Sequence, residues 1–252
     1  MTSRQQRTEE WLEGSDWALH ERQFDEPYRI TVQFSDFLNR NGCLLLEKEA
    51  RILDVGAGMG ANIYFLARRY PNVEFIGLDI NPECVDRGNE RLRGLGAANC
   101  RLETADLYNL DLERYSGFDG IVSFATLSWL SGLEEAARAL AALKPRWIAA
   151  TSLFDEGLID CVIETRDYSR PLPSSPCTTK FYNVYSLPRT RNLLKQLSYP
   201  EFHSERFDID IDLTRPASGG MGTYTELLRD GRRLQFSGPL LMPWHFILAR
   251  QS

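Results

Sequence analysis

Nothing in this chain approaches the roughly 20 consecutive apolar residues needed to cross a bilayer. The stretch Met1 to Glu10 runs from polar residues into acids rather than into an apolar signal core, so the expected location is cytoplasmic. Blocks of positive charge are equally scarce. Twenty-nine Lys and Arg face 35 Asp and Glu for a net charge of −6, and basic residues gather only in pairs such as Arg68-Arg69 and Arg232-Arg233. Nucleic-acid binding draws on several phosphate contacts from a basic stripe, so nucleic acid is not the expected partner. A small molecule or a glycan fits better. The five cysteines, at 43, 84, 100, 161 and 177, lack the paired spacing of a zinc site or a disulfide framework. They read as reduced, packed thiols, and no metal is expected. No internal repeat or low-complexity tract is present.

What is present is a core-forming chain with one glycine-rich loop. At 252 residues and 43% hydrophobic content it can bury one sizeable core and still carry insertions. The loop is Asp54-Val55-Gly56-Ala57-Gly58-Met59-Gly60. An apolar run, Ile52 to Val55, leads into it, and the helix-like run Ala61 to Tyr70 leaves it. A strand joined to a helix amino terminus by alternating glycines is a nucleotide-cofactor site, because the backbone can lie against the ligand while free N–H groups point at it.

Charge bears on which cofactor fits. Gly56, Gly58 and Ala61 also satisfy the loose dinucleotide pattern G-x-G-x-x-G/A, which makes a nicotinamide-dependent dehydrogenase one reading. A pyrophosphate would be repelled by Asp54 at the mouth of the loop. S-adenosylmethionine has no phosphate and carries an ammonium and a sulfonium, which a carboxylate attracts. The second apolar strand, Val73 to Asp79, ends in an acid 21 residues beyond Gly58, where a ribose-binding carboxylate is expected.

Together, the D-x-G-x-G-x-G loop at Asp54 to Gly60, the strand end Gly77-Leu78-Asp79-Ile80, the run Glu103 to Leu107 and the strand Phe118 to Phe124 resemble the class I S-adenosylmethionine-dependent methyltransferases over roughly residues 50 to 152. The resemblance implies a seven-stranded, mostly parallel, Rossmann-like α/β sheet with helices on both faces. It also implies S-adenosyl-L-methionine as cofactor, with Gly56 and Gly58 behind its methionine part, Asp79 at the ribose, and Gly60 and Ile80 also among the cofactor-binding residues. Asp106 and Leu107 then meet the adenine, and Phe124 lies beside the cofactor at the end of the fourth strand. Where many small-molecule members carry a histidine after that strand, this chain has Trp129.

Read as one domain, the chain divides into aminoterminal helices (1–49), a cofactor-binding half (50–154), a cap insertion (155–187) and a carboxyl-terminal half with a hairpin (188–252). Residues 8–46 carry apolar positions at near-helical spacing, punctuated by Pro27 and Gly42, and predict two or three helices. Strands are expected near 52–56, 73–79, 99–104, 118–124 and 146–152. The intervening helices fall near 61–70, 82–94 and 132–143. Residues 155–187 are rich in proline and aromatics and match neither period. An insertion at the carboxyl end of a parallel strand lies over the ligand crevice, so this segment reads as a cap on the acceptor. A helix is expected at 188–198, a strand at 207–213 with one buried face, a hairpin about Asp230-Gly231, and a last strand from Trp244 to Ala249.

Methyl transfer from a sulfonium is a displacement driven largely by positioning, and it needs a base only when the acceptor must lose a proton. Asp155 and Glu156, directly after the fifth strand, and His245 on the last strand are the candidate catalytic groups. Trp17, Tyr28, Trp129, Phe181 and Tyr182 are the candidate acceptor-pocket rings. An O-methyltransferase acting on a small molecule or glycan is the expected activity, with a noncatalytic cofactor-binding partner module as the alternative.

Overall fold

The computed structural model describes residues 17–169, 171–173, 175–217 and 220–251. Trp11 and Leu12, and any helix ahead of residue 17, lie outside them. Five strands, β1 (Ala50–Val55), β2 (Val73–Asp79), β3 (Cys100–Thr104), β4 (Gly120–Phe124) and β5 (Trp147–Asp155), alternate with helices Ala61–Arg69, Pro82–Gly94 and Leu133–Ala142. The cap follows as β6 (Glu164–Asp167), β7 (Thr178–Phe181) and β8 (Tyr185–Ser186). Helix Leu187–Gln196 leads to β9 (Glu201–Arg206), then to a small sheet of β10 (Thr223–Leu227), β11 (Arg233–Ser237) and β12 (Leu240–Leu241), and to β13 (Trp244–Arg250).

The main sheet runs β3-β2-β1-β4-β5-β13-β9, with the two-residue β8 paired to the end of β5. Pairs among β1 to β5 are parallel, and β13 is antiparallel to both β5 and β9. Because successive strand side chains point to opposite faces, neighbouring residues feed two different cores. Ile52, Phe75, Val122 and Phe246 pack beneath helices Arg29–Arg40, Ala61–Arg69 and Pro82–Gly94. Leu53, Ile76, Ile121 and Ile247 pack beneath Leu133–Ala142 and Leu187–Gln196. Both faces are therefore covered, as near-continuous apolar strands require.

Helices Trp17–Asp25 and Arg29–Arg40 flank Pro27. The first is clasped to helix Pro82–Gly94, with the Arg87 guanidinium 4.3 Å above the Trp17 ring and Arg91 paired to Asp25 at 3.3 Å. One expected strand is absent. Residues 207–213 form no ladder, because β13 begins at Trp244, directly after Pro243, and offers its last bond to the Phe207 N–H at 2.9 Å. Their alternation survives in burial only at the start: Phe207 and Ile209 are buried and Ile211 is exposed, while Asp210 and Asp212 pair with Arg29 and Arg233. The hairpin forms as expected, with Gly231 at φ +85° closing the turn between β10 and β11.

Candidate active site

The carboxyl ends of β1 and β4 lie side by side where the strand order reverses, the position at which open α/β sheets bind ligands. β1 passes into helix Ala61–Arg69 through Gly56, Gly58 and Gly60, all at positive φ. At Gly56 space as well as conformation demands glycine, since a Cβ there would stand 2.3 Å from Thr126 Oγ1. The N–H groups of Gly56 and Ala57 both donate to the Leu78 carbonyl, at 2.8 and 2.9 Å, and tie the loop to β2. Gly58 N–H donates to Asp79 Oδ2 at 2.7 Å, and Asn81 N–H to Asp79 Oδ1 at 2.9 Å. Burial pushes the Asp79 carboxyl above the usual range, against those backbone donors and the nearby charge of His20.

The crevice is a cavity of about 480 Å³. Gly56, Gly58, Asp79, Ile80, Asp106, Leu107 and Phe124 line it, with Tyr28 and Trp129. Asp106 starts the short turn Leu107–Asn109 by accepting the Tyr108 N–H at 3.0 Å. Phe124 is held edge-on by Phe34, with centroids 5.1 Å apart. Trp129 lies between Tyr182 and Trp244, at 5.3 and 5.6 Å.

Other residues singled out from the sequence do not reach the cavity wall. Asp54 is fully buried at the end of β1, neither carboxylate oxygen has a hydrogen-bond partner, and burial together with the charge of Asp79 raises its pKa well above the ordinary value. Gly60 instead lets the helix start close on β3, where a Cβ would lie 3.0 Å from Leu102 Cδ2. Trp17 is taken up by Arg87, and Phe181 is buried in the cap. Tyr182 acts behind the wall, through Trp129.

The three expected bases also lie elsewhere. Asp155 turns back to accept the Gly157 N–H at 2.8 Å, and Glu156 follows it in the same exposed turn. His245 is buried on β13 between β5 and β9, its Nδ1 is 3.2 Å from the Pro243 carbonyl, and burial lowers its pKa.

Several lining residues carry no signal in the sequence. His20 Cε1 stands 3.4 Å from where a Gly58 Cβ would be, so helix Trp17–Asp25 brings an imidazole over the glycine loop. Thr151 Oγ1 accepts the N–H of Ala125, a residue held at φ +51° at the end of β4. From the cap, Lys180 is the residue that enters the wall. It precedes Phe181 on β7, and the alternation that buries Phe181 turns Lys180 the other way.

The turn carrying Trp129 rests on a buried polar network. Ser128 Oγ and Ser152 Oγ are 2.6 Å apart, and Asn183 gives its backbone N–H to Ser128 O and its Nδ2 to Leu130 O, each at 2.9 Å. Tyr185 donates its hydroxyl to Leu127 O at 3.2 Å, and burial has pushed its pKa up to about 12. Among the described residues no group of three or more His, Cys, Asp and Glu is placed to hold a metal, and no helix is long and apolar enough to cross a membrane.

Residues 52–146 match the family described as a methyltransferase domain. A malonyl-[acyl-carrier protein] O-methyltransferase from Geobacter sulfurreducens is 38% identical over 110 residues, 43% of this chain and 40% of that protein. An uncharacterised protein of Rickettsia prowazekii is 34% identical over 82 residues, 32% of each chain. The chain thus spans less than half the length of these curated relatives. The fold of the N-terminal domain of EvdMO1, solved with S-adenosylhomocysteine bound, superposes with a TM-score of 0.56 at 16% identity, over 88% of this chain and 81% of that one. The family match ends at Arg146, before β5 and the cap, and so coincides with the half that builds the glycine loop, Asp79 and Asp106: that half of the chain is similar to the S-adenosylmethionine-dependent methyltransferases.

Proposed function

We propose that this protein transfers a methyl group from S-adenosylmethionine to an oxygen atom of a small-molecule or glycan acceptor. The observation that carries the reading is that one cavity joins the glycine loop, Asp79 and Asp106 at one end to Tyr28, Trp129 and Lys180. A volume of about 480 Å³ falls within the range of roughly 300 to 1,000 Å³ common for ligand sites.

The residues fit the cofactor. Asp79 lines the cavity and Asp54 is buried behind it; burial disfavours the charge of both, and a cationic ligand beside Asp79 favours it again. A pyrophosphate, as in a nicotinamide cofactor, would meet the same two groups as repulsion. Bound there, S-adenosylmethionine supplies a methyl group on a sulfonium. Asp79, already shaped by the Gly58 and Asn81 N–H groups, keeps lone pairs for the ribose hydroxyls, and Asp106 faces the adenine amino group with Leu107 beside it. Phe124, Ala125 and Thr126 press the loop side, and Trp129 gives the acceptor a flat apolar surface. Holding the two reactants in line is the main task of such a site.

Oxygen as the acceptor atom is supported by the Geobacter sulfurreducens relative, whose name records an O-methyltransferase. The test is to release small molecules from the purified protein and identify them by mass spectrometry. S-adenosylmethionine or S-adenosylhomocysteine at near-stoichiometric amount is the expected finding. A nicotinamide nucleotide in their place would refute the assignment.

A further inference from the structure

We propose that Thr126, carried on the strained backbone of Ala125, is the positioning residue that ties the cofactor loop at Gly56 to the acceptor wall at Trp129. This rests on the methyl-transfer reading above and names the element that keeps donor and acceptor in register.

Among the described residues three that are not glycine hold a positive φ: Ala125 at +51°, Lys144 at +54° and Ser198 at +76°. Lys144 and Ser198 follow the ends of helices Leu133–Ala142 and Leu187–Gln196, and give their N–H groups to Ala141 O and Lys195 O. A left-handed residue there is an ordinary helix stop. Ala125 stops no helix. It follows β4 directly, in the wall of the cavity. In this conformation a Cβ crowds the following carbonyl, so an alanine holds it only where the surroundings impose it.

The imposing groups are on β5. The register of β4 on β5 ends at Phe124 and Thr151, and the Ala125 N–H then donates both to Thr151 O at 3.0 Å and to Thr151 Oγ1 at 2.9 Å. Thr151 is fully buried, so neither acceptor can be traded for water. The kink places Thr126 against the glycine loop. Its hydroxyl donates to Phe124 O at 3.0 Å, with Gly56 O 3.4 Å away. A Cβ on Gly56 would stand 2.6 Å from Thr126 Cγ2 and nearer still to Oγ1, so this side chain fills the space that the glycine leaves free. On its other side, Thr126 O accepts the Trp129 N–H at 2.9 Å and starts the turn Leu127–Trp129.

Thr126 is therefore packed on the cofactor loop through its side chain and bonded to the acceptor wall through its carbonyl. Gly56, Ala125, Thr126 and Trp129 all line the one cavity. Both ends of the link are anchored in the sheet, Gly56 by its N–H on Leu78 O at 2.8 Å and the turn by Ser128 N–H on Ser152 Oγ at 2.9 Å. Misplacing two reactants by about 1 Å costs on the order of a hundredfold in rate, which is why a stiff spacer between them matters.

The experiment uses the full chain labelled with fluorotryptophan and followed by fluorine NMR, with S-adenosylhomocysteine as the probe. The Trp129 resonance is identified by its loss in W129F. Saturating S-adenosylhomocysteine is expected to shift it in the wild type. T126A removes the packing on Gly56 and keeps the backbone bond to Trp129, and in it the shift is expected to fall about twofold or more. T126S keeps the hydroxyl and its bond to Phe124 O and should recover most of the shift. Affinity for S-adenosylhomocysteine in both variants should stay within about tenfold of wild type, close enough for saturation, because the loop remains tied to Leu78 O. A125G permits the same φ without the crowding, and that relief outweighs the added freedom of the unfolded chain. It should melt no lower than the wild type and keep the Trp129 shift.

A Trp129 resonance that stays still in the wild type, or moves as far in T126A as in the wild type, overturns the proposal. A Thr126 that serves packing alone gives the second of these results together with a lower melting temperature. An A125G protein that melts below the wild type overturns the claim that the kink is held against the preference of its own residue. Failure of the methyl-transfer reading itself is distinguishable, because S-adenosylhomocysteine would then fail to bind the wild-type protein by calorimetry before any variant is made.

Discussion

Replacing Asp79 separates the cofactor account from a purely structural one. In the structure each carboxylate oxygen already accepts one backbone N–H, Oδ2 from Gly58 at 2.7 Å and Oδ1 from Asn81 at 2.9 Å. Each ribose hydroxyl would therefore take a remaining lone pair. A hydrogen bond to a charged group contributes about 1.5 to 3 kcal/mol, so the weaker limit of one such bond is about tenfold in affinity, and two in full exceed a thousandfold. D79N keeps the shape and one acceptor oxygen and should weaken S-adenosylhomocysteine binding at least tenfold. D79A should weaken it further and also lower stability by about 1 to 2 kcal/mol, because the Gly58 and Asn81 N–H groups lose their acceptor. Burial raises the pKa of Asp79, and the cofactor favours the ionised form, so wild-type affinity should fall as pH drops through that raised pKa. D79N should show a flatter profile. Isothermal calorimetry across pH 5 to 8, with circular dichroism to check the fold, measures all of this. A folded D79A with unchanged affinity would refute the placement of the ribose.

Asp54→Asn tests the buried carboxylate. Because the folded-state pKa is raised, its contribution to stability is fully present below the unfolded pKa and is lost as pH rises through the folded one. Urea unfolding should show that D54N gains on the wild type between pH 5 and 8 while its affinity for S-adenosylmethionine falls; an unchanged difference across that range would contradict the assignment. Gly56→Ala combines a positive φ with a clash on Thr126, so it should cost about 1 to 3 kcal/mol by thermal melting and abolish cofactor binding. Retained binding in G56A would mean that the loop does not sit against the ligand. Asn183→Ala removes the Nδ2 donor to Leu130 O in the turn at Trp129 and the Oδ1 acceptor of the Ile163 N–H, and should lower stability by about 1 to 3 kcal/mol. Turnover per folded molecule should fall in N183A with cofactor affinity kept, and preserved turnover would separate that network from the acceptor wall.

Much of the cofactor half was legible because its signals are local. An aspartate, three glycines and a following helix specify one turn, and an acid closing the next strand is fixed by the length of the crossover between them. Apolar runs bounded by turns placed β1 to β4 to within about two residues, the margin at which helix and strand ends fray, while β5 runs three residues past its expected end, to Asp155. The acceptor end was less legible because its residues come from three separate regions, the aminoterminal helices, the turn after β4 and the cap. His20 reaches the loop only through the packing of helix Trp17–Asp25 on helix Pro82–Gly94, which no spacing encodes. In the cap, aromatic residues drew attention, yet the strand buries Phe181 and presents Lys180; Thr178 to Phe181 was too short a run to read as a strand. Asp155 follows the fifth strand directly in the sequence, whereas His245 lies on a strand whose faces are expected to be covered. In three dimensions one closes a turn and the other is held between two antiparallel strands. Residues 207–210 alternate in burial, Ile211 is exposed, and the segment lacks a partner strand, since periodicity reports at most which side is covered and not whether a ladder exists.

The central claim is that the crevice between β1 and β4 takes S-adenosylmethionine. Calorimetric titration of the purified, ligand-stripped protein with S-adenosylmethionine, S-adenosylhomocysteine and NAD tests it most directly. Micromolar binding of the first two, at one site and with no heat from NAD, is the predicted result, while binding of NAD without binding of S-adenosylmethionine would contradict the account.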